Sequence, residues 1–376
     1  MLFDRAEIGG ALGDLGTFIP LLVGMVNRCG LQLGPALLTA GLMNVATGLL
    51  FRIPMPVQPM KAIATVAIAE GLTESQILAA GIATGAVIFL LAVTGLIDWL
   101  NRVVPKSVVR GLQLALGMKL LTSGIGMISG TGVFFAWDGI GLGLLCTAAV
   151  LVFYFSKHVP GALVVFAIGL IALLAQQPTL FEQTRFGMSW HLPDLTARDD
   201  WITGMVRGTL PQIPLTTLNS VVAVCALSAD LFPRSPAAPR RVAVSVGLMN
   251  LIACPLGGMP MCHGAGGLAG QYRFGARTGG SVTTLGLAKI ALALLLGGSL
   301  LTWLQHYPQS VLGVLLLFSG LELALVCRDQ TARVDFFVML LTAGACLAVN
   351  TALGFAVGWA VAALLLWGVF RIEPPP

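Results

Sequence analysis

Apolar runs about 20 residues long recur along nearly the whole chain, and that recurrence leaves few folds open to it. With no water nearby a segment must satisfy its own backbone groups, so a run of this length crosses a bilayer as an α-helix. The candidates are Ile8–Val26, Gly34–Phe51, Ser75–Trp99, Ser107–Ile128, Gly139–Phe155, Val159–Ala175, Ile202–Leu231, Val242–Cys254, Ser281–Trp303, Ser310–Cys327, Asp335–Val349 and Leu353–Phe370. A polar segment, Gln176 to Trp201, separates the first six from the rest. Soluble domains carry roughly 25% charged residues. Here 10% are charged and 57% hydrophobic, with a mean hydropathy of +0.91. The expected fold class is an all-α polytopic membrane protein.

Two further apolar stretches are too short and too broken to span alone, Val57–Ala69 and Gly264–Tyr272. The first belongs to RIPMPVQPMKAIA, from Arg52 to Ala64, and the second to PLGGMPMCHGAGGLAGQYRFGARTGG, from Pro255 to Gly280. Prolines and glycines break the backbone in each, and small residues then open a new helix. A helix that restarts this way aims unpaired N–H groups at whatever occupies the break. In lipid such a break is tolerated only where protein or a polar cavity surrounds it. Each short segment is third in its half, and Pro59-Met60 lies 201 residues before Pro260-Met261. Matched interruptions point to an inverted repeat with the binding site between its halves. The expectation is about 14 segments in a 7+7 inverted repeat, with the third and tenth as half-helices. Residues 1–177 form the first half, 178–201 a polar extracytoplasmic loop and 202–376 the second half, with no soluble C-terminal domain.

The cations test that topology. With both termini in the cytoplasm, fourteen fall on inside loops: Arg5, Arg52, Arg102, Lys106, Arg110, Lys157, Arg234, Arg240, Arg241, Arg273, Arg277, Arg328, Arg333 and Arg371. Four fall outside: Arg28, Arg185, Arg198 and Arg207. This bias accounts for the net charge of +5 without a nucleic-acid partner, because no basic patch stands apart from the loops. Arg273 and Arg277 read as anchors at the cytoplasmic end, away from the break. The seven cysteines include no CxxC pair and are expected as reduced, mostly buried thiols. The N-terminus, MLFDRAEIGG, shows no signal-peptide pattern.

An ionisable group at the centre of a membrane helix costs about 2.5–3.5 kcal/mol on insertion scales, so it needs a partner or a purpose. Lys61 opens the third segment, where a cation opposes the helix dipole unless an anion lies close by. An ion pair with Asp14 or Glu70 is the alternative. His263 holds the matching place before the tenth segment, beside Met259, Met261 and Cys262. No second ligand stands at metal-binding spacing, so no metal is expected there. Gly264, Ala265, Gly266 and Gly267 follow, and their small size lets an oxyanion approach backbone N–H groups or lets two helices cross. Asp14 and Thr17 lie one turn apart on the first segment, and Gln212, Thr216, Asn219 and Ser220 cluster on the eighth. With Gln58 these are candidate walls of the site, and Asp14 is the candidate proton-binding acid. Lys119 and Lys289 would pair with an acid or snorkel. Asp230 and Glu322, near span ends, read as solvated or helix-packing groups.

Four motifs taken together carry a resemblance. GALGDLGTFIP (Gly10–Pro20), PMPVQPMKAIA (Pro54–Ala64), PQIPLTTLNSVVAV (Pro211–Val224) and PMCHGAGGLAGQYRFGARTG (Pro260–Gly279) are similar to those of the molybdate transporter family. That family is a relative of the sulfate permeases without their STAS domain. The resemblance covers nearly the whole chain. It implies the seven-plus-seven inverted-repeat fold shared with sulfate permeases and nucleobase transporters. In that fold a core domain holds segments one to four and eight to eleven, and a gate domain holds the rest. The resemblance also implies a substrate between the N-termini of half-helices three and ten, and an elevator-like displacement of core against gate.

The expected function is secondary active uptake of a tetrahedral oxyanion across the inner membrane, molybdate first and tungstate or sulfate next, with proton coupling as an option. Asp14, Thr17, Gln58, Lys61, Thr216, Asn219, His263, Gly264, Ala265, Gly266 and Gly267 are the expected substrate-binding residues. No cofactor, metal or catalytic group is expected. The partners are the anion and the lipid bilayer, and a homodimer is left open. A sulfate transporter of the same fold is the first alternative, followed by a nucleobase permease or an anion channel. An enzyme with Asp14 and His263 as an acid–base pair lacks any supporting motif.

Overall fold

A computed structural model describes residues 1–97, 104–156, 161–180, 190–369 and the single positions Glu182, Gly187 and Ile372. The expected segment ends at Trp99, Val159 and Phe370, and the loop cations Arg102, Lys157, Arg185 and Arg371, lie outside the described residues.

The described residues are organised as fourteen principal helices. The first seven are α1 (Arg5–Cys29), α2 (Leu33–Phe51), α3 (Lys61–Glu70), α4 (Glu74–Thr94), α5 (Lys106–Ser129), α6 (Ile140–Phe153) and α7 (Gly161–Gln176). The second seven are α8 (Arg198–Leu231), α9 (Pro239–Ala253), α10 (Ala265–Arg273), α11 (Gly280–Gln305), α12 (Gln309–Leu325), α13 (Arg333–Ala348) and α14 (Thr351–Leu366). Among the described residues six helices are long and apolar enough to cross a membrane: α1, α2, α4, α5, α8 and Gln309–Asp329, which prolongs α12. Several of the other expected spans, including α6, α7 and α14, are apolar but shorter. The two broken segments are short helices, and α8 starts four residues before the expected Ile202.

Local chemistry sets the boundaries. The Asp4 carboxylate accepts from Glu7 N at the start of α1, and Thr73 with Gln76 forms a capping box before α4. Arg52 ends α2 in the left-handed region (φ 59°), and its carbonyl accepts from Gly279 N at 3.0 Å, so the end of α2 is tied to the start of α11. Glu7, almost wholly buried, accepts from the backbone N–H groups of Arg277, Thr278 and Ser281 at 2.8–3.0 Å. A carboxylate there suits a helix N-terminus and clamps α1 to α11.

Packing falls into two groups. In one, α2 lies along α11, α4 along α9, and α1 against α10 and α11; in the other, α12 and α13 lie along α5, and α13 along α14. Paired glycines permit the closest approaches. A Cβ on Gly41 would come 2.7 Å from Gly286 O, and one on Gly286 2.6 Å from Gly41 O. Across α5 and α12, Gly117 and Gly320 meet in the same way, each 2.5 Å from the other's carbonyl oxygen. With lipid outside, such close contact rather than a hydrophobic force holds helices together. Lys119 on α5 pairs with Glu70 at the end of α3 at 2.6 Å and donates to Thr351 Oγ1 at 3.2 Å, which joins the two groups. The expected acid partner for Lys119 is thus Glu70, which removes Glu70 as a partner for Lys61.

Candidate anion site

The two chain breaks face each other as a minimal antiparallel ladder. β1 (Gln58–Pro59) pairs with β2 (Met261–Cys262), with Gln58 opposite Cys262 and Pro59 opposite Met261. Met60 N donates to Pro260 O at 2.8 Å. Because α3 and α10 begin directly after these strands, the ladder sets the two helix starts side by side. Asn250 of α9 completes it: its amide donates to Met261 O and Val246 O and accepts from Met261 N, each at 2.7 Å. These bonds satisfy backbone groups that broken helices would leave bare in a membrane.

The expected site residues divide into those that face a cavity and those that build its wall. A cavity of about 370 Å³ lies between the two packing groups. Thr17 of α1, Lys61 at the first position of α3, Asn219 of α8 and Gly266 of α10 line it on one side. Gln113 of α5, Phe318, Ser319 and Glu322 of α12, and Tyr154 just beyond α6, face them. Among the described residues no carboxylate forms an ion pair with Lys61. A Cβ on Gly266 would meet nothing within 4 Å, so its backbone stands bare to the cavity. The α10 backbone bonds to Gly264 O begin with Gly267 and Leu268, and the N–H groups of Ala265 and Gly266 precede them.

The remaining expected residues sit behind this surface. Asp14 and Gln58 are fully buried and bonded, Gln58 Nε2 donating to Asp14 Oδ1 at 2.7 Å. A Cβ on Gly267 would lie 2.6 Å from Gln58 Nε2 and 2.8 Å from Asp14 Oδ1, and one on Gly264 would collide with Gln58 Oε1. These two glycines are therefore packing positions, whereas Gly266 is the open one. His263 bridges Pro56 O (2.8 Å) and Ser245 Oγ (2.9 Å) and meets the edge of Phe51, which staples α9 and the first break to the second. The structure does not bring it to the cavity. Ala265 is half-buried against the core.

Thr216 is buried too, and accepts from Gln212 Nε2 at 2.8 Å. Gln212 Oε1 accepts from Ala62 N at 2.9 Å and Ile63 N at 3.2 Å. The first turn of α3 is thus partly capped from α8, and fewer of its N–H groups are free than its sequence suggests. Gln212 lies between two stretches of π-helical backbone within α8, Gly204–Thr209 and Thr216–Ala223, and Thr216 opens the second. Gln212→Ala is expected to leave two buried donors unsatisfied and to destabilise the protein by about 2–4 kcal/mol. Thermal unfolding in detergent reads that loss, and Gln212→Glu, which keeps the acceptor, should recover much of it.

Sequence reasoning missed several cavity residues, among them Glu322, Arg273 and Gln113. Glu322, taken for a solvated or packing group, lines the cavity and accepts from Tyr154 Oη at 2.6 Å. Its signal was an acid inside the apolar run Ser310–Cys327. Arg273, taken for an anchor away from the break, also lines the cavity, one turn beyond Gly270. Gln113 carried no distinguishing pattern. Lys289 stands outside the cavity: it donates to Asn44 Oδ1 at 2.8 Å and lies 3.4 Å over the Phe18 ring.

A family profile described as "Molybdate transporter of MFS superfamily" matches residues 6–120 and 204–323. The chain is 41% identical to molybdate transporter 1 of Arabidopsis thaliana over 94% of its own length and 86% of that protein. It is 36% identical to molybdate transporter 1 of Chlamydomonas reinhardtii over 94% of its length and 90% of that chain. Among solved structures, the transmembrane domain of the cyanobacterial bicarbonate transporter BicA matches with a TM-score of 0.66 at 15% identity, covering 95% of this chain and 97% of that one. Murine Slc26a9, an anion transporter in the inward-facing state, matches with a TM-score of 0.71 at 13% identity, covering 99% and 69%. At these identities the structural likeness speaks to the fold, which is shared with the BicA transmembrane domain and with Slc26a9. The profile and the sequence relatives decide the family, and this membrane-spanning chain belongs to the molybdate transporters.

Proposed function

We propose that the protein is a secondary transporter that takes up a tetrahedral oxyanion, molybdate first, across the inner membrane with both termini in the cytoplasm. The observation that carries this reading is Lys61 at the start of α3, facing a cavity on the same side as the open backbone of Gly266, with no carboxylate partner among the described residues. A divalent anion needs its hydration replaced, and a fixed cation, helix N-terminal N–H groups and the polar groups of Thr17 and Asn219 are suited to that. The names of the curated relatives support molybdate among the possible oxyanions.

The two packing groups suit a core (α1–α4, α8–α11) that moves against a gate (α5–α7, α12–α14), with seven helices per inverted repeat. The cavity lies between them, so an elevator-like displacement would carry Lys61 and Gly266 past the α5 and α12 wall. Uptake is proton-coupled in this reading. Proteoliposomes test it: uptake of radiolabelled molybdate should saturate, fall strongly with tungstate, weakly with sulfate and not with uracil. Unsaturable flux driven only by potential would mark a channel, and preferential competition by sulfate would change the substrate.

A further inference from the structure

Two buried acceptor atoms behind the cavity have no donor among the described residues, Asp14 Oδ2 and Gln58 Oε1. They belong to side chains that already touch through Gln58 Nε2 and Asp14 Oδ1, and both residues are 0% exposed. A carboxylic acid and a primary amide complement each other fully: the amide N–H donates to one carboxyl oxygen, and the O–H on the other donates to the amide oxygen. One proton on Oδ2, shared with Gln58 Oε1, would satisfy both orphaned atoms, whereas a carboxylate leaves both bare although neither residue is exposed.

Among the described residues no other donor reaches these atoms. Lys289 on α11 faces Asp14 but directs its bond to Asn44 and its charge over Phe18. Lys61 on α3 faces the cavity, and the Cys262 thiol on β2 lies nearby. On the other elements packed against α1, Arg273 and Glu322 line the cavity and Glu70 is held by Lys119. Among the described residues none of these forms an ion pair with Asp14. The Gln58 amide is also wedged between Gly264 and Gly267, where even a methyl group would strike it, so it has little freedom to turn elsewhere.

We propose that Asp14 carries a proton in this conformation and donates it to Gln58 Oε1, and that this acid–amide pair is the proton site of the transport reading above, on which it rests. Because Gln58 is a ladder residue, losing that proton sets two acceptors against each other inside the pairing that holds Lys61 and Gly266 in place. Proton and anion binding are thereby linked, one proton favouring the anion-ready geometry.

Infrared spectroscopy of the purified protein tests the proton without any anion. A protonated carboxyl C=O band is expected in the wild type near neutral pH, absent in Asp14→Asn and shifted in Gln58→Leu, which lacks the acceptor. No such band, or one unchanged in both variants, would overturn the proposal. Molybdate titrations test the linkage: wild-type Kd should rise by up to about tenfold per pH unit once Asp14 titrates, while that of Asp14→Asn stays flat. Equal pH dependence in the two proteins overturns it, as does a Kd that follows sodium instead of pH. A wild type that binds no molybdate at any pH sinks the transport reading, and the infrared result still decides the proton.

Discussion

Lys61→Ala is expected to weaken molybdate binding by roughly 30- to 1,000-fold, the effect of removing one partner of a buried charged pair, about 2–4 kcal/mol. The same substitution should act in the opposite direction on the empty protein. Lys61 stands half-buried at a helix N-terminus, with no ion-pair partner among the described residues, so without an anion its charge is a cost. Lys61→Ala should therefore unfold at a higher temperature than the wild type in anion-free detergent. It should also lose the rise in unfolding temperature that saturating molybdate gives the wild type. Lys61→Arg keeps the charge on a longer, planar group and should retain weak binding. A purely structural lysine would show the reverse, lower stability with unchanged affinity per folded molecule.

Gly267→Ala should be nearly as damaging, though its side chain would touch no substrate. The added methyl would press on Gln58, Pro56 and Asp14 at once, all within 2.8 Å of the new carbon. These neighbours are buried and Gln58 is held by the β1–β2 ladder, so overpacking of about 1–3 kcal/mol is expected, with the ladder as the part that yields. Binding should fall together with thermal stability. Gly266→Ala, one residue away, meets open space and should fold like the wild type. Its effect should be on affinity alone, since the methyl narrows the approach to the α10 N–H groups. Equal stability losses in the two variants would contradict the assignment of one glycine to packing and the other to the cavity.

Much of this was readable before the structure. Helix positions followed from apolar run length, because in a membrane that length is a strong constraint. The two broken segments and the place of Lys61 followed from prolines and glycines that no continuous helix tolerates. What escaped were features set by partners distant in sequence. Nothing in PMPVQPM or MPMCHG states that the two breaks pair as strands, or that Asn250 seals the second. Gln212 looked like a wall of the site because it shares a polar cluster with Thr216 and Asn219, yet it caps α3. The π-helical turns of α8 rotate which of these residues faces the cavity, and a regular 3.6-residue period cannot anticipate that. His263 was legible as important, but only its two hydrogen bonds separate a staple from a ligand. Glu322 escaped because nearness to a span end suggested solvent, and Arg273 because the charge count set it at the cytoplasmic end away from the break, while the cavity reaches both.

The most direct measurement of the central claim is the position of the anion itself. Crystals or particles of the purified protein loaded with tungstate, whose heavy atom locates itself by anomalous scattering or by density, should show one dominant site. It should lie within hydrogen-bond reach of Lys61 Nζ and the backbone N–H of Gly266, between Thr17 and Asn219. Dominant density elsewhere, at Arg273 alone or in the polar hollow beside Arg28 and Gln309, would contradict the account.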